Sequence, residues 1–112
     1  MDPEQLLPIS VLSDAADCLR LLGHPMRLRM VDILSRGSLP VHEIADLCEL
    51  PHHQACEHLR LLRGHGLLSS ERNGRAVFYE IADPRLPRLL NCIRTACEYT
   101  DHIEIETRKT ES

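Results

Sequence analysis

The stretch from Pro40 to Gly66 constrains the fold more than any other part of the chain, because two short helical patterns flank a proline. In the first pattern, apolar residues fall at i, i+3, i+4 and i+7, the spacing that aligns side chains on one face of a helix. These residues are Val41, Ile44, Ala45 and Cys48. Pro51 disfavours helical geometry in the residue before it and suits the first turn of a new helix. The pattern therefore predicts one short helix before Glu49 and a second one starting near Pro51.

The second helix repeats the apolar spacing and is expected to end at Gly64 or Gly66, because glycine readily adopts the left-handed conformation that closes a helix. Its apolar residues are Ala55, Leu59 and Leu62. Two short helices joined by a tight turn form a helix-turn-helix, whose second helix enters the DNA major groove. The region near 51–65 is therefore the predicted recognition helix.

The region near 67–81 changes from helical spacing to the alternation of β-strands, most clearly over residues 76–81. Asn73-Gly74 lies between its two runs and is a strong signal for a two-residue hairpin turn. A β-hairpin that directly follows a recognition helix is a wing. We therefore expect a two-stranded wing here.

The remaining helical patterns complete the expected architecture; they are Val11–Leu22, His24-Pro25 up to Gly37, and Asp83-Pro84 to about His102. The predicted fold is mainly α with a small β-hairpin, a winged helix-turn-helix of five helices over residues 11–102. An N-terminal arm (1–10) precedes it and an acidic C-terminal tail (103–112) follows it. The first and last helices have more leucine-lined surface than a small core requires, so a second subunit is expected to cover them in a homodimer.

Positive charge is concentrated in the middle of the chain. The formal net charge of the 112 residues is -4, but residues 20–88 contain ten arginines against eight acids. Residues 1–19 carry four acids and no base. The sequence therefore excludes a basic surface over the whole molecule, and we expect any nucleic acid to contact the middle.

Other classes of protein lack support in the sequence. It has no Ser/His/Asp grouping, Gly-rich phosphate loop or metal-hydrolase motif, which argues against an enzyme. It also lacks a signal-peptide pattern and a run of about eighteen apolar residues, which argues against export or a membrane span. Five cysteines without a C-x-x-C pair indicate reduced thiols in a cytoplasmic protein. A winged-helix module that binds protein instead of DNA is the main alternative, and the negative net charge favours it.

Four motifs resemble the arsenical-resistance repressor (ArsR/SmtB-type) family of bacterial winged-helix regulators. They are LLGHPMRLRMVDIL at 21–34, VHEIADL at 41–47, CEHLRLLRGHGLL at 56–68 and RNGRAVFYEI at 72–81. The resemblance implies a homodimer joined through its first and last helices. It also implies binding to a palindromic operator in double-stranded DNA, as a repressor released by a metal ion or a thiol-reactive signal.

Three departures from the family pattern concern how such a signal would act. Family members that sense arsenic or cadmium carry Cys-Val-Cys where this chain has Pro40-Val41-His42. Members that sense zinc or nickel through the last helix open it with Asp-x-His, whereas this chain has Asp83-Pro84-Arg85. Cys56 replaces the serine that is usual in the middle of the recognition helix. Both of these family metal sites are therefore absent.

The residues predicted to contact DNA are His52, His53, Gln54, Cys56, Glu57, Arg60, Arg72 and Arg75. Gln54 pairs well with adenine and Arg60 with guanine or phosphate, so these two are the favoured base readers. Arg72 and Arg75 flank the wing turn, where phosphates or a minor groove would pass. The alternative is that these side chains are only solvated. His58 lies beside the apolar stripe and is expected to be a hydrogen-bonded structural histidine.

A small cluster of cysteines and a histidine near the recognition helix is a candidate sensor of metals or metalloids. Its members are Cys48, His52 and Cys56, with Cys18 from elsewhere in the dimer as a further candidate. His52 and Cys56 are four residues apart on one helical face, and Cys48 lies across the turn. The alternatives are a structural role, in which the thiols pack as small hydrophobic groups, and a redox switch.

Overall fold

The computed structural model of the chain describes residues 1–96. A short 3-10 turn (Pro3–Gln5) precedes the first helix. The helices are α1 (Ile9–Leu22), α2 (Pro25–Leu34), α3 (Val41–Cys48), α4 (His52–Gly64) and α5, which starts at residue 85 and is described to residue 96. The strands are β1 (Leu39–Pro40), β2 (Leu68–Asn73) and β3 (Ala76–Ile81), which form one antiparallel sheet in the order β1-β3-β2.

The two central helices form where the apolar spacing predicted them. The four residues of the apolar pattern in α3 are buried, namely Val41, Ile44, Ala45 and Cys48, whereas Leu47 is exposed. In α4 the buried residues are Ala55, Leu59 and Leu62. Both helices therefore turn one apolar face to the core and leave the opposite face to solvent, which confirms the predicted helix-turn-helix.

The turn between α3 and α4 is closed by Glu49, which has a φ of 55° in the left-handed region. The Glu49 N–H donates to the carbonyl of Asp46 at 3.1 Å, and the Leu50 N–H donates to the carbonyl of Ala45 at 3.0 Å. This pair of bonds is a Schellman motif, which satisfies carbonyls that the helix end would otherwise leave free. The Pro51 carbonyl then accepts from the N–H groups of Gln54 and Ala55 in the first turn of α4, where the predicted interruption ends.

The wing is a hairpin with a different turn from the predicted one. Asn73 pairs with Ala76, so the two loop residues are Gly74 and Arg75, not Asn73 and Gly74. Within the described chain, Gly74 has a φ of 65°, whereas Arg75 has no positive φ. This fits a turn that needs glycine only at its first central position, whereas the turn favoured by Asn-Gly needs positive φ at both.

A third strand, β1, extends the predicted two-stranded wing. Leu39 pairs with Tyr79, and Pro40 pairs with Phe78. The strand has two residues, too few to produce an alternating pattern, and one of them is a proline. For both reasons no sequence pattern predicts this strand.

The N-terminal arm is shorter than predicted, because α1 begins at Ile9 and not at Val11. Pro8 precedes the first helical residue, so the second proline of the arm marks the helix start. The predicted end of the last helix near residue 102, the acidic tail over 103–112, and Cys97 lie outside the described residues.

The core lies between α2, α3, α4, the sheet and the start of α5. Its largest fully buried side chains include Met30, Ile44, Leu59, Leu67 and Leu86. Helix α1 contributes little to this core, since its one buried residue is Leu22. No helix in residues 1–96 is long and apolar enough to cross a bilayer.

Candidate nucleic-acid interface

Helix α4 presents a polar face to solvent opposite its buried stripe. On this face His52, His53, Gln54, Glu57 and Arg60 are exposed, and Cys56 is half-buried. Because the apolar residues fix which side packs inward, the helix cannot rotate these polar groups away from solvent without exposing its leucines. The arrangement provides donors and acceptors on the first turns, where a recognition helix contacts base edges.

The polar face of α4 and the wing together form a basic cleft of about 360 Å³. We call this the interface cleft. It is lined by Val41, His42, His52, Cys56, Arg60, Arg63, Arg72, Arg75, Ala76, Val77 and Tyr79. These lining residues, all in the described part of the chain, include four arginines and no aspartate or glutamate. Clustered guanidinium groups without nearby carboxylates attract polyanions such as a phosphate backbone.

Three of these arginines are available to an incoming anion. Within residues 1–96, Arg60, Arg72 and Arg75 are exposed and have no hydrogen-bond or ion-pair partner in the chain. Their guanidinium groups would therefore contact a phosphate without first breaking a contact within the protein.

The fourth arginine, Arg63, joins the recognition helix to the wing. Its Nη1 donates to Ser70 Oγ at 2.9 Å, and its guanidinium carbon lies 6.0 Å from the centre of the Tyr79 ring. These contacts link α4 to both long strands of the hairpin, β2 through Ser70 and β3 through Tyr79. Arg63 was not among the residues predicted to contact DNA, although its position three residues after Arg60 places both on one helical face.

The structure brings five of the eight predicted DNA-binding residues into one site. His52, Cys56, Arg60, Arg72 and Arg75 line the interface cleft. The other three, His53, Gln54 and Glu57, lie on the exposed side of α4 outside the cleft. Their individual contacts with bases or phosphates stay predictions. His42 was not among the predicted residues, and its place at the start of α3 gave no spacing signal.

His58 is the structural histidine that its position predicted. It is half-buried, and its Nδ1 accepts a hydrogen bond from Arg27 Nε at 3.1 Å. Burial lowers the pKa of the His58 imidazole, and the neighbouring His24 and Arg27 lower it further. This bond to Arg27 on α2 confirms the predicted hydrogen-bonded histidine, and the absence of a base contact from His58 stays a prediction.

The candidate sensor residues do not assemble into a metal site within one subunit. Cys48 is buried in the core, and Cys18 lies close to Asp83 and Arg85. Burial raises the pKa of both thiols, which disfavours the thiolate that binds metals. In residues 1–96, no three histidine, cysteine, aspartate or glutamate side chains converge to hold an ion. His52 and Cys56 share the interface cleft, whereas Cys18 and Cys48 lie outside it, and a sensor role for these four residues stays a prediction.

Sequence relatives agree with this architecture. A family model described as a helix-turn-helix domain matches residues 22–71. The chain is 34% identical over 83 residues to the HTH-type transcriptional repressor SmtB of Mycobacterium tuberculosis, a match covering 74% of this chain and 62% of that repressor. The chain thus spans less than two thirds of this relative. It is 33% identical over 87 residues to the transcriptional repressor PagR of Bacillus anthracis, covering 74% of this chain and 87% of PagR.

Solved structures extend the similarity to the backbone. One is a homodimeric winged helix-turn-helix DNA-binding domain from Mycobacterium bovis, described as a possible ArsR-family transcriptional regulator. Its TM-score is 0.73 at 26% identity, covering 86% of this chain and 87% of that one. The transcriptional repressor BigR from Xylella fastidiosa gives a TM-score of 0.76 at 26% identity, with coverage of 86% and 96%. The fold, the interface cleft and these similarities together show that the chain belongs to the ArsR/SmtB-type family of winged-helix transcription regulators.

Proposed function

We propose that this protein is a homodimeric repressor that binds double-stranded DNA in a sequence-specific manner. The observation that supports this most is the interface cleft, where four arginines from α4 and the wing converge without an acidic residue in its lining. In this arrangement α4 enters the major groove, while Arg72 and Arg75 contact the sugar-phosphate backbone beside it. The related proteins named as repressors support the direction of regulation.

The way in which binding affinity depends on salt concentration distinguishes a DNA-binding protein from the alternative, a module that binds protein. Each phosphate that an arginine neutralises releases counterions, so affinity falls steeply as salt rises. Four cleft arginines in each of two subunits could neutralise several phosphates. We expect affinity to fall roughly a thousandfold between about 50 and about 200 mM salt.

The experiment uses a duplex that the wild-type protein selects from a random-sequence pool. Fluorescence anisotropy would measure its dissociation constant across the salt series, with a scrambled duplex of the same composition as control. Failure to enrich any duplex, or an affinity that does not change with salt, would contradict DNA binding and favour a protein partner.

Substituting a residue that reads bases should affect DNA binding differently from substituting a residue that contacts phosphates. Arg75→Ala should weaken binding to selected and scrambled duplexes alike and reduce the slope of affinity against salt, because a phosphate contact carries no sequence information. Gln54→Ala should instead change the preferred base at one position of each half-site, a discrimination of about 1–3 kcal/mol. The same effect of both variants on selected and scrambled DNA would contradict these assignments.

Two-fold symmetry of the homodimer leads us to propose a palindromic operator. The two α4 helices would contact half-sites about one helical turn apart, or a multiple of it. The exposed apolar residues of α1 and Ile93 on α5 are the surface through which the subunits would join. Such a protein acts where the chromosome is, in the cytoplasm of a bacterium.

Release from the operator by a thiol-reactive signal would act most directly through Cys56. Its half-buried thiol lies inside the interface cleft, so an adduct on the sulfur would separate α4 from the DNA. Operator binding would be measured with zinc, arsenite and peroxide, on the native protein and on Cys56→Ser. We expect peroxide to weaken binding of the native protein only. Equal release of both proteins would show that Cys56 is not the sensor.

A further inference from the structure

One arginine side chain, outside the lining of the interface cleft, connects three helices. Arg27, in the first turn of α2, is half-buried. Its Nε donates to His58 Nδ1 on α4 at 3.1 Å, and its Nη1 donates to the carbonyl of Leu21 in the last turn of α1 at 3.1 Å. A single guanidinium group therefore bonds the end of α1 and the middle of the recognition helix.

His24, the residue that precedes α2, also contacts His58. Its Nδ1 accepts from the Met26 N–H at 3.1 Å and caps the start of α2. Its ring centroid lies 4.7 Å from that of His58, with the ring planes at 58°. The imidazole of His58 is therefore held by both a directional hydrogen bond and a ring contact. We refer to Arg27, His24 and His58 as the helix joint.

The location of the helix joint matters for a dimer that reads two half-sites. Helix α1 carries exposed apolar residues through which the proposed dimer forms, whereas α4 carries the proposed base readers. The distance and angle between the two recognition helices depend on how rigidly α4 is held relative to α1. Arg27 bonds both helices through a planar group that has a fixed fork geometry.

We propose that Arg27 is a positioning residue that sets the placement of the recognition helix relative to the dimer-forming helix and thereby the spacing between DNA half-sites. This inference rests on the proposed function but goes beyond it, since Arg27 itself lies outside the interface cleft. A residue with only a general structural role would change the stability of the protein. A positioning residue also changes which half-site spacing is preferred.

The test compares three duplexes: the one selected by the wild-type protein, the same duplex with two base pairs inserted between its half-sites, and a scrambled duplex. The insertion rotates one half-site relative to the other by roughly one fifth of a turn. The wild-type protein should bind the selected duplex about tenfold more tightly than the inserted one. Arg27→Ala should lose about tenfold in affinity for the selected duplex and keep its affinity for the other two, so that it no longer distinguishes the spacings.

Separate control variants test the positive charge of Arg27 and the hydrogen-bond acceptor of His58. Arg27→Lys keeps the positive charge but lacks the fork, so it should follow Arg27→Ala. His58→Gln keeps an acceptor and should retain most of the spacing preference, whereas His58→Leu should lose it. Combining Arg27→Ala with His58→Leu should lower the affinity for the selected duplex by less than the product of the two separate losses, because both changes break the Arg27–His58 hydrogen bond. Arg29→Ala removes an exposed charge from the same helix and should leave the preference unchanged.

Sedimentation and thermal melting would establish that each variant is folded and dimeric, and the His58→Gln and His58→Leu pair tests the inference even if Arg27→Ala does not fold. The inference is overturned if Arg27→Lys and His58→Leu keep the wild-type spacing preference, or if they weaken binding to all three duplexes equally. Failure of the proposed function is a different result, namely that the wild-type protein selects no duplex at all.

Discussion

At the scale of single residues, Glu49 shows a local conformation at odds with its side chain. A left-handed residue costs about 1–2 kcal/mol when it carries a Cβ, and Glu49 has a φ of 55°. Glu49→Gly should therefore raise the free energy of unfolding by about 1 kcal/mol, after allowing for the greater freedom of glycine in the unfolded chain. Chemical denaturation would measure it. Glu49→Gln removes the same charge but keeps the Cβ, so a similar gain from both would refute backbone strain as the cause.

The His58 side chain makes stability depend on pH in a defined direction. Burial lowers its pKa from the ordinary 6.5, and His24 and Arg27 lower it further, whereas Glu57 acts in the opposite sense. The unfolded chain therefore binds the proton more readily than the folded one. The contribution of neutral His58 is fully present above about pH 6.5 and is lost as the pH falls through the folded value.

We expect the free energy of unfolding of the wild-type protein to fall more steeply than that of His58→Gln as the pH is lowered from about 7.5 to about 5. Denaturation curves at a series of pH values would measure this difference. His53→Gln, which changes an exposed histidine on the same helix, should follow the wild type. Parallel curves for the wild type and His58→Gln would show that His58 does not contribute in this way.

At the scale of secondary-structure elements, two glycines near the wing should respond oppositely to the same substitution. Gly74 has a φ of 65° and no atom within 4 Å of an added Cβ, so strain alone should make Gly74→Ala destabilising by about 1 kcal/mol. Gly64 ends α4 with equally open space and no positive φ. Gly64→Ala should therefore stabilise by about 0.5 kcal/mol. Thermal melting of both variants would measure this, and the same sign for both would contradict the argument.

The central elements were predictable because their information is local. Helices α3 and α4 follow from apolar spacing within about ten residues, and the wing follows from alternation and a glycine turn. Strand β1 was missed because two residues hold no period. The helix joint was not predictable as a unit, since Arg27 and His58 are 31 residues apart and only the packing of α2 against α4 brings them together. The cleft arginines were partly predictable, because their residue type and helical face are local but their convergence is not.

At the scale of the whole molecule, α1 indicates how the subunits associate. Leu12 and Leu19 are 44% and 58% exposed in one subunit, although both lie on a helix rich in apolar residues. We expect Leu12→Asp combined with Leu19→Asp to give a monomer, because a charge is costly to bury in an apolar interface. Sedimentation would show the mass, and the selected duplex would show an affinity close to that for scrambled DNA. Leu61→Asp, on α4, is the control and should remain dimeric; a dimeric double variant would exclude α1 from the interface.

Helix α1 has one fully buried residue, Leu22, and this has a consequence for how the regulator would behave in a cell. The apolar face of α1 would be buried only when two chains associate. The apparent stability of the protein would therefore depend on its concentration. The concentration of DNA-competent dimers would then vary with the square of chain abundance at low expression. Diluting the protein during growth, or halving its gene dosage, would release target promoters abruptly, without any inducer.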